Sequence, residues 1–478
     1  MLIPGFLSAQ SNPTVSIINN YNNWGWNNVY VVKNKFISVA VVPDAAGRIL
    51  EFNLAHVPAL WVNPKLFGKV YEPSDDVKKE EWRNFGGYRL VPIPVDNCAI
   101  NSSGEKIRRW PPPAIIGDSP YAVDISTNTK GQQSIHVSSG IQNLPVPIYN
   151  YPLKTFSDPE IIEEQLQYNR SLYIEEDKSV IYIKHTLQNK GSYPVERGLK
   201  ITSQHPTRSN LNLEDGENFL AYLPFTENLK LPSGKQFEIT TSPQNRWNFI
   251  NKNRFPIDKK NQEHLKKYFN TGTNWKGEVA PGVFEMHYDY NLMAGFQMIA
   301  SKSWICYVNK LENTVFVKIF EPYNKNLNYE YGVNAEIYNS GMETGYLETE
   351  IKTPIYHIKP NEHFDYFEIQ AAAKIMALPI LEVNKTGVIT KNISFDEENQ
   401  MLSGEYGVFI EGEVLIHLKD TSEKLIKEIH LEQVSPLKAL SFQIPFKWDL
   451  NINKIELIIK DKSGKIHHLD NCIKQKAK

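Results

Sequence analysis

Apolar and polar positions alternate with a period of two along most of the chain, the pattern of half-buried strands. Residues 30–42 carry two such runs around Lys33-Asn34-Lys35 and predict a hairpin. Residues 180–187 alternate in the same way and end in Asn189-Lys190-Gly191, a turn composition. Residues 304–308 and 315–320 are β-branched and aromatic runs and predict two more strands. Ser157-Asp158-Pro159 resembles a helix cap, but residues 160–167 run straight into Arg170-Ser171-Leu172-Tyr173 and are assigned to a strand. Helical patterning is scarce, and residues 259–269 offer three short turns. No repeat recurs at a fixed period.

The pattern changes at Leu378-Pro379. Beyond it the strands shorten and the loops become richer in Lys and Glu. Residues 389–395, 407–418, 427–432, 440–444 and 455–459 predict strands, and Asp461-Lys462-Ser463-Gly464 a hairpin turn. That spacing suits a small immunoglobulin-like sandwich. A chain of 478 residues also exceeds what one core usually spans. The expected division is 11–379 and 380–478. Residues 1–10 run from apolar to small to polar and read as the remnant of a secretory signal peptide cleaved near Ala9, which places the protein in the periplasm or outside the cell.

Composition narrows the function classes. With 52 basic and 54 acidic residues the net charge is -2, and no basic stripe points to nucleic acid. No apolar run reaches the length of a membrane span. Cys98, Cys306 and Cys472 are too far apart for a disulfide framework or a metal-ligand motif. Dinucleotide, Walker, zincin and serine-hydrolase motifs are missing, so no cofactor and no metal are expected. Aromatic residues make up 12%, with 24 Tyr and 9 Trp. Such rings suit sugars, having a flat apolar face and a polar edge, although large β-sandwiches are rich in them for packing reasons alone.

Several segments fall in an order that resembles the galactose mutarotase-like superfamily. Residues 36–53 form a strand, a proline turn and then Gly47-Arg48-Ile49. Residues 82–94 contain Gly86-Gly87 before an aromatic-proline stretch, and Trp110-Pro111-Pro112-Pro113 and Asp118-Ser119-Pro120-Tyr121 follow. These resemble the Gly-Gly and Trp-Pro-Pro signature of a branch of unknown function. Residues 168–205 and 333–358 are similar to the family's central and closing strands. The resemblance spans roughly residues 20–378 and implies an all-β fold, a large antiparallel galactose-mutarotase-like β-sandwich (supersandwich) followed by the small sandwich. It implies a saccharide ligand and, by extension, aldose 1-epimerase-like chemistry. A non-catalytic carbohydrate-binding protein and a glycan hydrolase or lyase remain as alternatives, because a fold does not fix a function.

Anomeric exchange needs a base for the anomeric hydroxyl and an acid for the ring oxygen, work suited to a carboxylate and a histidine. The resemblance places His205 at the family's acid, although Pro206 and Arg208 stand where the family has other residues. Glu348 and Glu350, two apart on a predicted strand, share one face and form a candidate carboxylate pair. Trp82, Arg83, Asn84, Arg89 and Trp110 are candidates for stacking on a sugar and holding its hydroxyls, as against a tight bend at Gly86-Gly87 with Trp110 capping the core. Glu285 and His287, with Asp289, alternate onto one face and could hold a metal or a hydroxyl-rich ligand, as against a solvated strand.

Overall fold

The computed structural model describes residues 12–74, 77–78, 81, 83–107, 112–208, 216–239, 275–288, 293–340 and 344–473. Strands dominate, and among these residues the one α-helix is Ala114–Gly117. Two large sheets, almost wholly antiparallel, enclose an apolar core. The 12-stranded sheet includes, as neighbours, Arg48–Leu54, Tyr88–Ile93, Val195–Pro206, Tyr346–Lys352, Ala335–Ser340 and Met293–Met298. The 11-stranded sheet includes Val283–His287, Phe219–Pro224, Trp304–Asn309, Thr314–Phe320, His363–Lys374 and Val180–Asn189. Side chains such as Phe52, Leu199, Ile201 and Leu347 from the first sheet meet Ile183, Tyr307, Phe316 and Tyr366 from the second. Each fully buried apolar side chain stabilises the fold by about 1.5–3 kcal/mol.

The hairpin expected over residues 30–42 is formed by Val29–Lys33 and Ile37–Val42. Its turn is fixed by Asn34, whose Oδ1 accepts from the N–H groups of Phe36 and Ile37 at 2.9 Å each. The strands expected at 180–187, 304–308 and 315–320 are present as Val180–Asn189, Trp304–Asn309 and Thr314–Phe320. The strand read at 160–167 begins only at Glu164. Residues 259–269 and the first ten residues lie outside the described ones.

After Leu381 the chain forms two four-stranded sheets of its own. One holds Glu382–Val383, Gly387–Asp396, Met401–Val408 and Leu440–Pro445; the other holds Leu425–Val434, Gly412–Lys419, Lys454–Lys460 and Ile466–Ile473. The run at 407–418 is divided between them. At the break, Ser179 N–H donates to Phe409 O at 2.9 Å and Glu411 N–H to Asp177 O at 3.0 Å, which ties the crossing to the large sandwich. Val414, Ile416, Leu440 and Leu457 pack in one cluster with Leu220, Tyr222, Trp304 and Val317, on the side of the 11-stranded sheet that faces away from the main core. The small sandwich thus backs one sheet and leaves the outer face of the other untouched.

That outer face has two halves. Over one, Trp24, Trp26 and Phe85 seal against Val31, Ala40 and Leu50. Trp26 is 1% exposed and donates its indole N–H to Lys69 O at 2.8 Å, so the Trp24–Trp26 segment is a packed cover. The other half is polar.

Candidate functional site

The polar half follows from register. Residues directly opposite on antiparallel strands point to the same face. Arg89 pairs with Thr202, Thr202 with Glu350, Glu350 with Glu336, and Glu336 with Gln297, so one row crosses five strands. The next row runs Gln204, Glu348 and Tyr338. Lys200 and Lys352 lie opposite each other two residues farther along. The alternate positions Ile201, Leu347 and Ile351 face the main core, which is why period-two patterning gathers Arg89, Lys200, Glu336, Glu348, Glu350 and Lys352 on the outer side.

The groups are bound to one another. Gln204 donates from Nε2 to Glu348 Oε1 at 2.7 Å, and Arg89 Nη2 lies 3.9 Å from the same oxygen. Thr202 Oγ1 donates to Glu350 Oε1 at 2.9 Å, and Lys200 Nζ lies 3.0 Å from Glu350 Oε2. Lys352 Nζ bridges Glu330 at 3.1 Å and Glu336 at 3.6 Å. Glu348 and Glu350 are 3% and 1% exposed. Burial, and next the Glu350 charge, push the Glu348 carboxyl up to about 8 against the pull of Arg89 and Lys200. Burial also acts to raise Glu350, but Lys200, Arg89 and Thr202 hold it down at about 2. Near neutral pH one strand face therefore presents a protonated carboxyl beside an ionised one. Their Cα atoms, two residues apart on a strand, are roughly 7 Å apart.

A loop frames the pair. Gly86 and Gly87 have φ of +89° and +65°, and a Cβ on them would lie 2.3 Å from Trp61 O and 2.4 Å from Ile49 O. These glycines make the bend that carries Arg83 and Asn84 onto the sheet. Trp61 N–H donates to Gln204 O at 2.7 Å, and its ring lies against Tyr346 at 4.9 Å, two residues before Glu348. Arg48, 1% exposed, donates to Gly86 O at 3.1 Å and Gly117 O at 2.7 Å and meets Asp118 at 3.3 Å. The Gly47-Arg48, Gly86-Gly87 and Asp118-Ser119 segments of the sequence resemblance thus meet at one guanidinium.

The structure brings together Arg89, Glu348 and Glu350, sets Arg83 with Arg48 and Arg89 around Asp118, places Asn84 against Asn63 and Gly86, and separates the other expected residues from the pair. His205 lies on the core side of its strand. Its Nδ1–H donates to Ala59 O at 2.7 Å, its Nε2 accepts from Thr349 Oγ1 at 2.8 Å, and its ring stacks on Tyr307 at 4.5 Å. Burial lowers its pKa to about 3, so it is a neutral, satisfied core residue on the face opposite Glu348. Glu285 and His287, 2.7 Å apart, belong to the other large sheet, where Tyr222 donates to Glu285 Oε2 at 2.6 Å. Trp82, Trp110 and Asp289 lie outside the described residues. Gln204, Thr202, Lys200, Glu336, Trp61 and Tyr346 were not singled out from the sequence. Cross-strand register alone brings most of them to the pair, and one sequence does not reveal it. Among the described residues no group of three or more His, Cys, Asp or Glu is placed to hold a metal ion, and no helix is long and apolar enough to cross a membrane.

The class reached is an all-β protein, a large antiparallel sandwich followed by a small one, with buried ionisable residues on one outer sheet face. No protein-family description matches the chain, and no curated protein does. Among solved structures the chain is similar to a galactose mutarotase-like protein from Clostridium acetobutylicum, at 13% identity over 76% of this chain and 99% of that one, with a TM-score of 0.42. A galactose mutarotase-like protein from Lactobacillus casei is similar at 7% identity over 72% and 99%, with a TM-score of 0.41. A protein from Synechocystis is similar at 12% identity over 78% and 99%, with a TM-score of 0.41.

Proposed function

We propose that the polar outer face binds a saccharide and that Glu348 and Glu350 exchange protons with it in an aldose 1-epimerase-like reaction. The observation that carries this reading is the carboxyl pair itself: two acids on one strand face, pushed in opposite directions by their surroundings. Glu350, ionised, takes the proton of the anomeric hydroxyl. Glu348, protonated, gives its proton to the ring oxygen as the bond from that oxygen to the anomeric carbon breaks. The open aldehyde rotates and recloses, and the two protons return. Arg89 and Gln204 hold Glu348 in place, and the Trp61–Tyr346 pair supplies an aromatic surface alongside. The order and composition of the segments that resemble the mutarotase-like superfamily support the same reading. Their histidine is replaced here as acid by a carboxyl.

Two-dimensional exchange NMR on a panel of free monosaccharides tests this. The protein should accelerate anomeric exchange of at least one sugar, and Glu348→Gln should remove the acceleration while line broadening still reports binding. Binding without acceleration across the panel would reduce the site to recognition alone. Equal acceleration by wild type and Glu348→Gln would remove Glu348 from the chemistry.

A further inference from the structure

We propose that the Arg83–Asn84 end of this face is an oxyanion subsite, and that the saccharide bound here carries a negatively charged substituent. The inference rests on the saccharide reading above and names the substrate class within it.

The face is electrically polarised. At one end Arg48, Arg83 and Arg89 all act on Asp118, and Arg89 acts on Glu350 as well. Arg48 already occupies Asp118 at 3.3 Å, and Arg89 is turned toward Glu348 at 3.9 Å. Glu348 is largely protonated near neutral pH and adds little negative charge. At the other end two lysines, Lys200 and Lys352, face Glu330, Glu336 and Glu350. The Arg83 guanidinium is thus the cation at this end that forms no ion pair among the described residues, and buried cations are ordinarily matched by a partner.

Donors are left over on Arg83 and on the residue that follows it. Nε and Nη1 of Arg83 and Nδ2 of Asn84 are buried without a hydrogen-bond partner among the described residues. Asn84 is 5% exposed, so its amide has no bulk water to satisfy it. Its Oδ1 is used by Gly86 N–H at 3.3 Å, which fixes the amide and leaves the NH2 group as the free end. The Arg83 guanidinium carbon lies over the Tyr71 ring at 4.1 Å from its centroid, a cation–π contact that holds the group while Nε and Nη1 stay without a hydrogen-bond partner. A preoriented guanidinium beside a fixed amide donor, in a cation-rich corner, matches a carboxylate, a phosphate monoester or a sulfate monoester. A neutral hydroxyl would use the donors and leave the charge unmatched.

The test is calorimetric and NMR-detected binding of matched sugars to the full chain. The neutral set is glucose and galactose; the charged set is glucuronate, galacturonate, glucose 6-phosphate and galactose 6-sulfate. A charged member should bind about tenfold or more tighter than its neutral parent, with a preference that weakens as salt is raised. The member that gains identifies the oxyanion. Arg83→Gln should cut that preference, read as the ratio of charged to neutral affinity within the variant, to less than about twofold. Arg83→Lys, which keeps the charge and loses the planar fork, should retain part of it. Neutral sugars binding as tightly as every charged one, or a preference unchanged in Arg83→Gln, would overturn the oxyanion subsite and leave the saccharide reading standing. Failure of every sugar to bind would overturn both.

Discussion

The strands Tyr88–Ile93, Val195–Pro206 and Tyr346–Lys352 have buried charge against both faces, on the core side supplied by the facing sheet, and the two faces treat it differently. On the core side Tyr88 donates to Glu368 at 2.7 Å, and His185 lies 2.8 Å from Tyr88 Oη, 2.7 Å from Tyr168 Oη and 3.1 Å from Glu368. Lys318 stands 3.5 Å from Glu368 and donates to Ile201 O at 3.0 Å. Burial acts to raise Glu368, but Lys318, His185 and Tyr88 bring it down to about 2. The result is an ion pair with both His185 nitrogens engaged, a structural arrangement. On the outer side, one residue along from Tyr88 and on either side of Thr349, burial and Glu350 together hold Glu348 protonated, and donors of Arg83 and Asn84 are left open. Burial alone therefore does not mark a functional group. What separates the faces is whether the local partners compensate it.

The largest effects should separate the faces by kind. Glu348→Gln should lower anomeric exchange by about 10²–10⁴-fold with little change in melting temperature at pH 5, measured by exchange NMR and calorimetry. Glu368→Gln leaves Lys318 buried without its partner and should cost about 3–5 kcal/mol of stability by denaturant titration, or prevent folding. If Glu348→Gln also unfolded the protein, the contrast between the faces would collapse. Gly87→Ala forces a Cβ to within 2.4 Å of Ile49 O at positive φ and should cost about 2 kcal/mol or more. It should also weaken sugar binding, because that bend carries Arg83 and Asn84. His205→Asn should destabilise by about 1–3 kcal/mol through its lost partners and leave the pH profile of exchange unshifted.

The smallest effect is a pH dependence. Glu348 is raised in the folded state, so between the ordinary carboxylate range and about 8 the folded protein holds more protons than the unfolded chain. Its contribution to stability falls as pH rises through that window. Glu350 is lowered, so its contribution is present above the ordinary range and falls as pH drops toward about 2. Glu348→Gln should therefore gain stability relative to wild type at pH 8 and little at pH 5, read as melting temperatures across pH.

Much of this was legible in the sequence. Period-two patterning located the hairpin at 30–42 and the strand at 180–187, and β-branched and aromatic runs located the strands at 304–308 and 315–320, which are buried on both faces. The Glu348–Glu350 spacing was readable because two residues on a strand always share a face. Arg89 lies beside that pair through its register with Thr202, and Gly86-Gly87 lets the segment before it pass close against Trp61 and Ile49. His205 misled because a strand residue one position out of phase points to the opposite side, and phase follows from the partner strands. Lys200, Thr202 and Gln204 were invisible for the same reason. Their neighbours across the sheet, Glu348 and Glu350, are about 150 residues away, and that pairing is a tertiary property.

The most direct test of the account is a carbon-13 NMR titration of the glutamate side-chain carboxyls, with Glu348 and Glu350 assigned from Glu348→Gln and Glu350→Gln. The account predicts that Glu348 loses its proton near pH 8 while Glu350 remains ionised down to the acid limit of the fold. Two carboxyls titrating together in the ordinary range near 4 would contradict it, for then the outer face would hold no acid poised beside a base.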